Sequence, residues 1–177
     1  MTRRPPFLAL LLVTLAPQFA DAAEASPVAG DWRFNAERST ELSPWRGFEL
    51  TIQLDGDRVT IERRLGAGRR QFTDAMTIDT KGGENVVPIE MWPDNRHLGA
   101  YVGGDRTKRI RASWLDEGRI LRLSTDLVLS TQQGDRAVNI LTDYKVSASG
   151  NQLTLTELRS TRNRPVVYVF NRAPAAP

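Results

Sequence analysis

Cysteine is absent from the 177-residue chain, histidine occurs once and lysine only three times. The missing thiol excludes a cysteine nucleophile, a thiolate zinc site, an iron–sulfur cluster, a disulfide framework and a lipid-modified cysteine. No apolar run reaches the roughly 18 residues a helix needs to cross a bilayer. No segment repeats apolar residues at i, i+3, i+4 and i+7 over two turns, so helix content should be low. With 13 Gly and 10 Pro the chain is not collagen-like, and 40% hydrophobic residues exclude disorder as its main state. Stability must come from packing and hydrogen bonds, and a chain of this length buries enough surface to need no metal staple.

Charge is also nearly absent as a whole-molecule property. The 24 basic and 21 acidic residues leave a formal net charge of +3. Arginine, which does not titrate in the usable range, supplies nearly all the basic groups and raises the isoelectric point without creating a strongly basic surface. No nucleic-acid partner is expected.

The first residues have the layout of an export signal. Arg3 and Arg4 precede an apolar stretch from Phe7 to Ala16, Pro17 breaks it, and Ala20-Asp21-Ala22-Ala23 offers the small-x-small spacing that a signal peptidase accepts. Residues 1–22 are therefore expected to be a signal peptide cleaved after Ala22, with Ala25 as the second choice. Residues 23–29 read as a linker, 30–173 as one domain and 174–177 as a tail. Pro5-Pro6 puts one residue too many between the arginine pair and Phe7-Leu8 for a twin-arginine signal. Cleavage would remove Arg3, Arg4 and Asp21, leaving a mature protein near +2 with no transmembrane span, resident in the periplasm or secreted.

Alternation with a period of two runs through the rest of the chain, which is the strand signature. Phe48, Leu50, Ile52 and Leu54 alternate with polar residues, Asp55-Gly56-Asp57 makes a hairpin turn, and Val59 and Ile61 resume the pattern. Phe72, Met76 and Ile78 give a third strand, and Pro88 makes the run from Asn85 to Ile89 an edge strand. Ile110 to Trp114 and Leu121 to Leu129 form a longer hairpin. Val138 to Val146, Leu153 to Leu155 and Val166 to Phe170 follow, and Trp32 to Phe34 opens the series. Ala36 to Leu42 has room for one helical turn. About 8–10 such strands, without helices to cover them, must bury their apolar faces against each other in a barrel or a sandwich. Up-and-down order favours an antiparallel barrel, because closure removes unpaired edges.

Gly30-Asp31-Trp32 at the opening strand and Tyr168-Val169-Phe170-Asn171-Arg172 at the last resemble the lipocalin, or calycin, pattern of Gly-x-Trp followed by a terminal arginine. With Gly30 to Ser39 and Ala112-Ser113-Trp114, the chain from about 30 to 172 is similar to small secreted lipocalin-like barrels of bacteria, few of which have an assigned activity. The resemblance implies that Trp32 and Arg172, with Gly30 beside them, close one end of the barrel by cation–π stacking and hydrogen bonds to carbonyls. Thr142-Asp143-Tyr144 spells the family's second signature but falls inside a strand. The stretch between Met91 and Gly104 is longer than a hairpin turn needs.

Candidate chemistry is sparse. His97 lies in Pro93-Asp94-Asn95-Arg96-His97-Leu98-Gly99, a stretch of loop composition without a second ligand at metal spacing, and reads as a solvated histidine; an enzymatic or haem-binding role is the alternative. No metal or cofactor is expected, and no nucleophile, base and orienting group can be assembled. Parity with Leu153 and Leu155 aims Glu157 inward, but end-of-strand exposure is the adopted expectation. Arg58, Arg63, Arg64, Arg69 and Arg70 crowd one hairpin, and Arg106, Lys108, Arg109 and Arg111 another segment. Facing outward, Arg63, Arg64, Arg69 and Arg70 would meet solvent, neighbouring acids such as Glu62 and Asp74, or an anionic lipid, polysaccharide or protein.

Trp92 and Tyr101 flank the long loop, Trp45 precedes the first hairpin, and Trp114, Thr125, Tyr144 and Tyr168 fall on inward phases. These residues are the candidates for a cup that binds a small, mainly apolar ligand. The other reading is a filled barrel acting as an envelope protein-interaction module through its arginines. A cavity below roughly 300 Å³ would defeat the ligand cup and favour the filled barrel.

Overall fold

A computed structural model describes residues 26–42, 45–89 and 101–174. The expected signal peptide, Trp92, His97 and the last three residues lie outside them.

The described chain is an antiparallel meander. Its strands are β1 (Gly30–Asn35), β2 (Gly47–Asp55), β3 (Arg58–Ala67), β4 (Arg70–Asp79), β5 (Asn85–Pro88), β6 (Tyr101–Val102), β7 (Thr107–Leu115), β8 (Ile120–Thr131), β9 (Gly134–Val146), β10 (Gln152–Arg159) and β11 (Val166–Arg172). Their spatial order is β4-β3-β2-β1-β11-β10-β9-β8-β7-β5, and β6 pairs with β8 beyond the end of β7. Sequence neighbours pair from β1 to β4 and from β7 to β11, and the ladder between β1 and β11 joins these two runs into a nearly closed barrel. Tight turns make this order accessible, with Gly56 and Gly68 at positive φ between β2, β3 and β4. A 3-10 turn over Ala36–Arg38, capped by Asn35, is the single helical turn among the described residues.

One place lacks a ladder. β4 pairs only with β3, and β5, the edge strand that Pro88 required, pairs only with β7. Along this seam Asn85 acts as a clip: its Oδ1 accepts from the Asp79 N–H at 2.8 Å, and its Nδ2 donates to the carbonyls of Asp79 and Ile110.

The alternating apolar residues fill the barrel from one end. Trp32, Leu50, Ile52, Ile61, Ile78, Leu121, Tyr144 and Leu153 are all at most 1% exposed. Each buried aliphatic side chain of this kind contributes about 1.5–3 kcal/mol. Phe34, Phe48, Phe170 and Tyr168 pack edge to face or tilted above them, with centroids 4.9–6.1 Å apart. Residues 26–29, expected as linker, belong to this end instead. Val28 is fully buried, Ser26 Oγ donates to the Gly118 carbonyl, and Trp32 Nε1 donates to the Val28 carbonyl.

Candidate functional site

Opposite the end plugged by Trp32, the barrel holds a cavity of about 110 Å³. Its position follows from the strand phases. Phe48 on β2, Leu65 on β3, Phe72 and Met76 on β4, and Leu123, Leu127 and Ile140 on β8 and β9 continue the inward apolar rows toward the mouth. Ser39 and Thr40 extend the chain along β11: Val169 and Val167 donate to their side-chain oxygens, and Thr40 N–H donates to the Val167 carbonyl. That path brings Leu42 and Trp45 over the opening, where the indole stacks on Phe72 with centroids 6.3 Å apart.

The cavity floor is charged. Arg63 shares an inward phase with Val59, Ile61 and Leu65, Asp74 with Phe72, Met76 and Ile78, Lys108 with Ile110, and Glu157 and Arg159 with Leu153 and Leu155. All five line the cavity. They form a chain of alternating sign that crosses the barrel. Lys108 Nζ lies 3.7 Å from Asp74 Oδ2, and Asp74 accepts from Arg63 Nε at 3.0 Å and from its terminal nitrogen. Arg63 also reaches Glu157 Oε1 at 4.0 Å, and Glu157 Oε2 accepts from Arg159 at 2.6 Å. Arg63 and Asp74 stand directly opposite in the β3–β4 register, and Glu157 stands opposite Thr142, which lines the cavity beside Thr125.

Burial sets the protonation of this floor. It pushes the Lys108 amine down to about 8, with Arg63 adding to the effect and Asp74 opposing it. Burial likewise lowers the Arg159 guanidinium to about 10 and raises the Tyr144 phenol to about 12. For Asp74, burial favours the neutral acid, but Arg63 and Lys108 together outweigh it and hold the carboxyl below its usual range. At neutral pH Lys108, Arg63 and Arg159 thus carry their protons and Asp74 is ionised.

The sequence candidates separate into three groups. Thr125, Tyr144 and Tyr168 line the cavity. Trp114 is half-buried against the core, outside the cavity lining, and Tyr101 is 72% exposed on β6. Arg64, Arg69 and Arg70 are exposed, Arg64 pairing with Glu62 at 2.6 Å. Arg63 corrects the outward expectation: it points into the barrel, because its phase is that of Ile61 and the half-buried Asp74 pairs with it there. Glu157 corrects the expectation of exposure for the same reason, being 8% exposed with Arg159 against it. Lys108, Asp74 and Arg159 were not singled out for the interior. Among the described residues no group of three or more His, Asp or Glu side chains is gathered as a metal site.

At the plugged end, Arg172 Cζ lies 4.1 Å from the Trp32 ring centroid. The guanidinium donates to the carbonyls of Gly150, Ala29 and Pro27 at 2.8, 2.9 and 2.6 Å. Gly30 adopts φ +133°, and a Cβ there would come within 2.5 Å of the arginine.

No protein-family model matches the chain, and no curated protein matches it. The solved structures it is similar to include a secretory abundant heat soluble protein from Ramazzottius varieornatus, with 9% sequence identity, a TM-score of 0.52, and coverage of 84% of this chain and 96% of that one. Secretory abundant heat soluble protein 4 of the same organism matches over the same shares at 9% identity and a TM-score of 0.49. The first likeness is one of fold: a small β-barrel of the lipocalin and fatty-acid-binding type.

Proposed function

We propose that this protein is an exported, non-catalytic barrel, resident in the periplasm or secreted, that binds a small, mainly apolar ligand in its interior. The leader-like residues 1–22 support export, and no described helix is long and apolar enough to cross a membrane. The observation that carries the ligand reading is the cavity itself, walled by Leu42, Trp45, Phe48, Leu65, Phe72 and Met76 and reached by Thr125, Tyr144 and Tyr168. At about 110 Å³ it falls below the roughly 300 Å³ set from the sequence as the least a ligand cup needs, so the cup expected there is ruled out at drug size and the present reading is restricted to a compact ligand.

Ligand-observed NMR with toluene, benzyl alcohol and hexanol tests this reading. Saturation transfer to the native protein that disappears in Thr125→Phe, whose ring would occupy the space, is the expected result. Absence of transfer from every compound would overturn it.

The small cavity also favours a second reading, a filled barrel that acts through its surface on an envelope protein or an anionic lipid or polysaccharide. Arg64, Arg69 and Arg70 are its contact residues, Arg63 being engaged inside. Salt-sensitive retention on phosphatidylglycerol vesicles that is lost on replacing these three with Ser would support it over the first.

A further inference from the structure

We infer that Lys108 captures carbonyl compounds: its Nζ condenses with a compact aldehyde admitted to the cavity and holds it as an imine beside Asp74. The inference rests on the ligand-binding reading above and names the chemical class of the ligand.

Placement carries the argument. Of the 24 basic residues in the chain only three are lysine, and one of these three takes an inward position on β7. A guanidinium keeps its proton and is no nucleophile, whereas an amine freed of its proton adds to a carbonyl. Lys108 is 8% exposed and is the only lysine among the described residues that line the cavity; Lys81 and Lys145 are exposed. Its ion-pair partner, Asp74 Oδ2, stands 3.7 Å from Nζ, beyond ordinary hydrogen-bond length, while the same carboxylate accepts directly from Arg63. Burial, with Arg63 adding to it, lowers the amine to about 8, which leaves roughly a tenth of it unprotonated at pH 7 against about one part in three thousand for an ordinary lysine.

The step balances without an oxidant or a reductant. The Nζ lone pair forms a bond to the carbonyl carbon, and the oxygen takes up a proton that the nitrogen gives up. The resulting hydroxyl leaves with the second nitrogen proton as water, and a C=N bond remains. Protonated from solvent, the imine carries the single positive charge that the ammonium carried, so Asp74 keeps its partner and no buried charge is stranded. Apolar walls from Phe48, Leu65, Phe72 and Met76 receive the body of the aldehyde and keep out the water that would hydrolyse the imine. The volume limits that body. At a water's share of roughly 30 Å³, the cavity of about 110 Å³ holds about four heavy atoms, the size of the butylidene group left when butanal loses its oxygen.

The test is reductive trapping on the full chain at pH 7, with butanal and sodium cyanoborohydride, followed by peptide mapping of the butylated lysines. Lys108 should be butylated at least about tenfold faster than Lys81 or Lys145, a margin well inside the difference in unprotonated fraction. Thr125→Phe, whose ring would occupy the cavity, should slow butylation of Lys108 to the rate of Lys81 or below without changing Lys81 itself. Butylation of Lys108 no faster than that of the two exposed lysines would overturn the inference. Faster trapping of decanal than of butanal at Lys108 would overturn the size assignment. Saturation transfer from butanol to the native protein, read in parallel, separates the two readings. Transfer without preferential butylation overturns carbonyl capture and leaves the apolar site standing, whereas absence of both removes the ligand reading as well. The ranking of the three lysines within the native protein decides the matter without the variant, should Thr125→Phe fail to fold.

Discussion

Arg172 and Trp32 are directly opposite residues in the β1–β11 ladder, and the guanidinium lies over the indole, its Cζ 4.1 Å from the ring centroid, while donating to three backbone carbonyls. This places a single side chain across the joint between the first and last strands and the segment before β1. Replacement by Met keeps the stem and removes every one of those donations. Urea denaturation should show a loss of about 2–4 kcal/mol for Arg172→Met, and Arg172→Lys should recover less than half, because an ammonium cannot reproduce the fork.

Gly30 is required by the same joint. Gly30→Ala combines a positive φ with a Cβ 2.5 Å from Arg172, so it should destabilise by more than about 1 kcal/mol. Part of that loss comes from displacing the arginine. The double variant Gly30→Ala/Arg172→Met should therefore lose less than the sum of the single losses, a coupling that a double-mutant cycle reads directly.

Lys108 makes folding depend on alkaline pH. In the unfolded chain its amine releases a proton near 10.5, in the barrel near 8. Between these values the unfolded chain binds more protons, so stability rises as pH rises through that window; below it both states are protonated and the full penalty of the buried charge remains. Lys108→Met should be more stable than the native protein at pH 7, by up to about 3 kcal/mol, and should lack the rise. Denaturation midpoints at pH 7, 8, 9 and 10 check both statements. The charged and titratable groups that line the same cavity are Arg63, Asp74, Tyr144, Glu157, Arg159 and Tyr168, from five other strands.

Asp74 is the negative link between two cations, and removing it should be harsher. Asp74→Asn leaves Arg63 and Lys108 without the carboxylate between them and should cost about 3–5 kcal/mol, whereas Arg63→Met/Asp74→Leu/Lys108→Met, which replaces all three with apolar groups, should recover most of that loss. In the native protein the carboxyl is held below its usual range, so its contribution is present at neutral pH and is lost as pH falls through the folded value. An acid titration of stability, native against the triple variant, reads this difference.

Edge amides should report the seam. Hydrogen exchange should be slow in β9, β10 and β11, each flanked by two ladders, and markedly faster at the amides of β4 that face away from β3. Uniform protection of β4 would contradict an open seam.

The period of two made most of the barrel legible in the sequence. Phe48 to Leu54 and Val59 to Leu65 show why: a meander needs only a turn after each apolar row, and Asp55-Gly56-Asp57 supplies it. Gly-Asp-Trp and the terminal Asn-Arg likewise pointed to the residues that meet at the plugged end. The charged floor was harder to see, because a single charge on an apolar phase is usually at the surface, and that general preference placed Arg63 and Glu157 outside. A better signal was available. Arg63 and Asp74 interrupt the inward rows of two adjacent strands at the same height, with opposite signs, and Lys108 and Glu157 interrupt two more. One such break suggests exposure, whereas four that match in sign across a barrel suggest an interior network. The split between Trp114 and Tyr144 was not legible, since both share the inward phase and only their height along the axis decides which one meets the cavity.

The seam beside β4 has a mechanical consequence. Elsewhere the girth of the barrel is fixed by main-chain ladders, and widening it would mean breaking them. Between β4 and β7 the described wall is tied by the Asn85 clip at one end and the Lys108–Asp74 contact higher up, so it can gape there like a slit in a cuff without sacrificing a single rung. Entry from the side, rather than through the rim under Trp45, is the route of least resistance that this construction leaves.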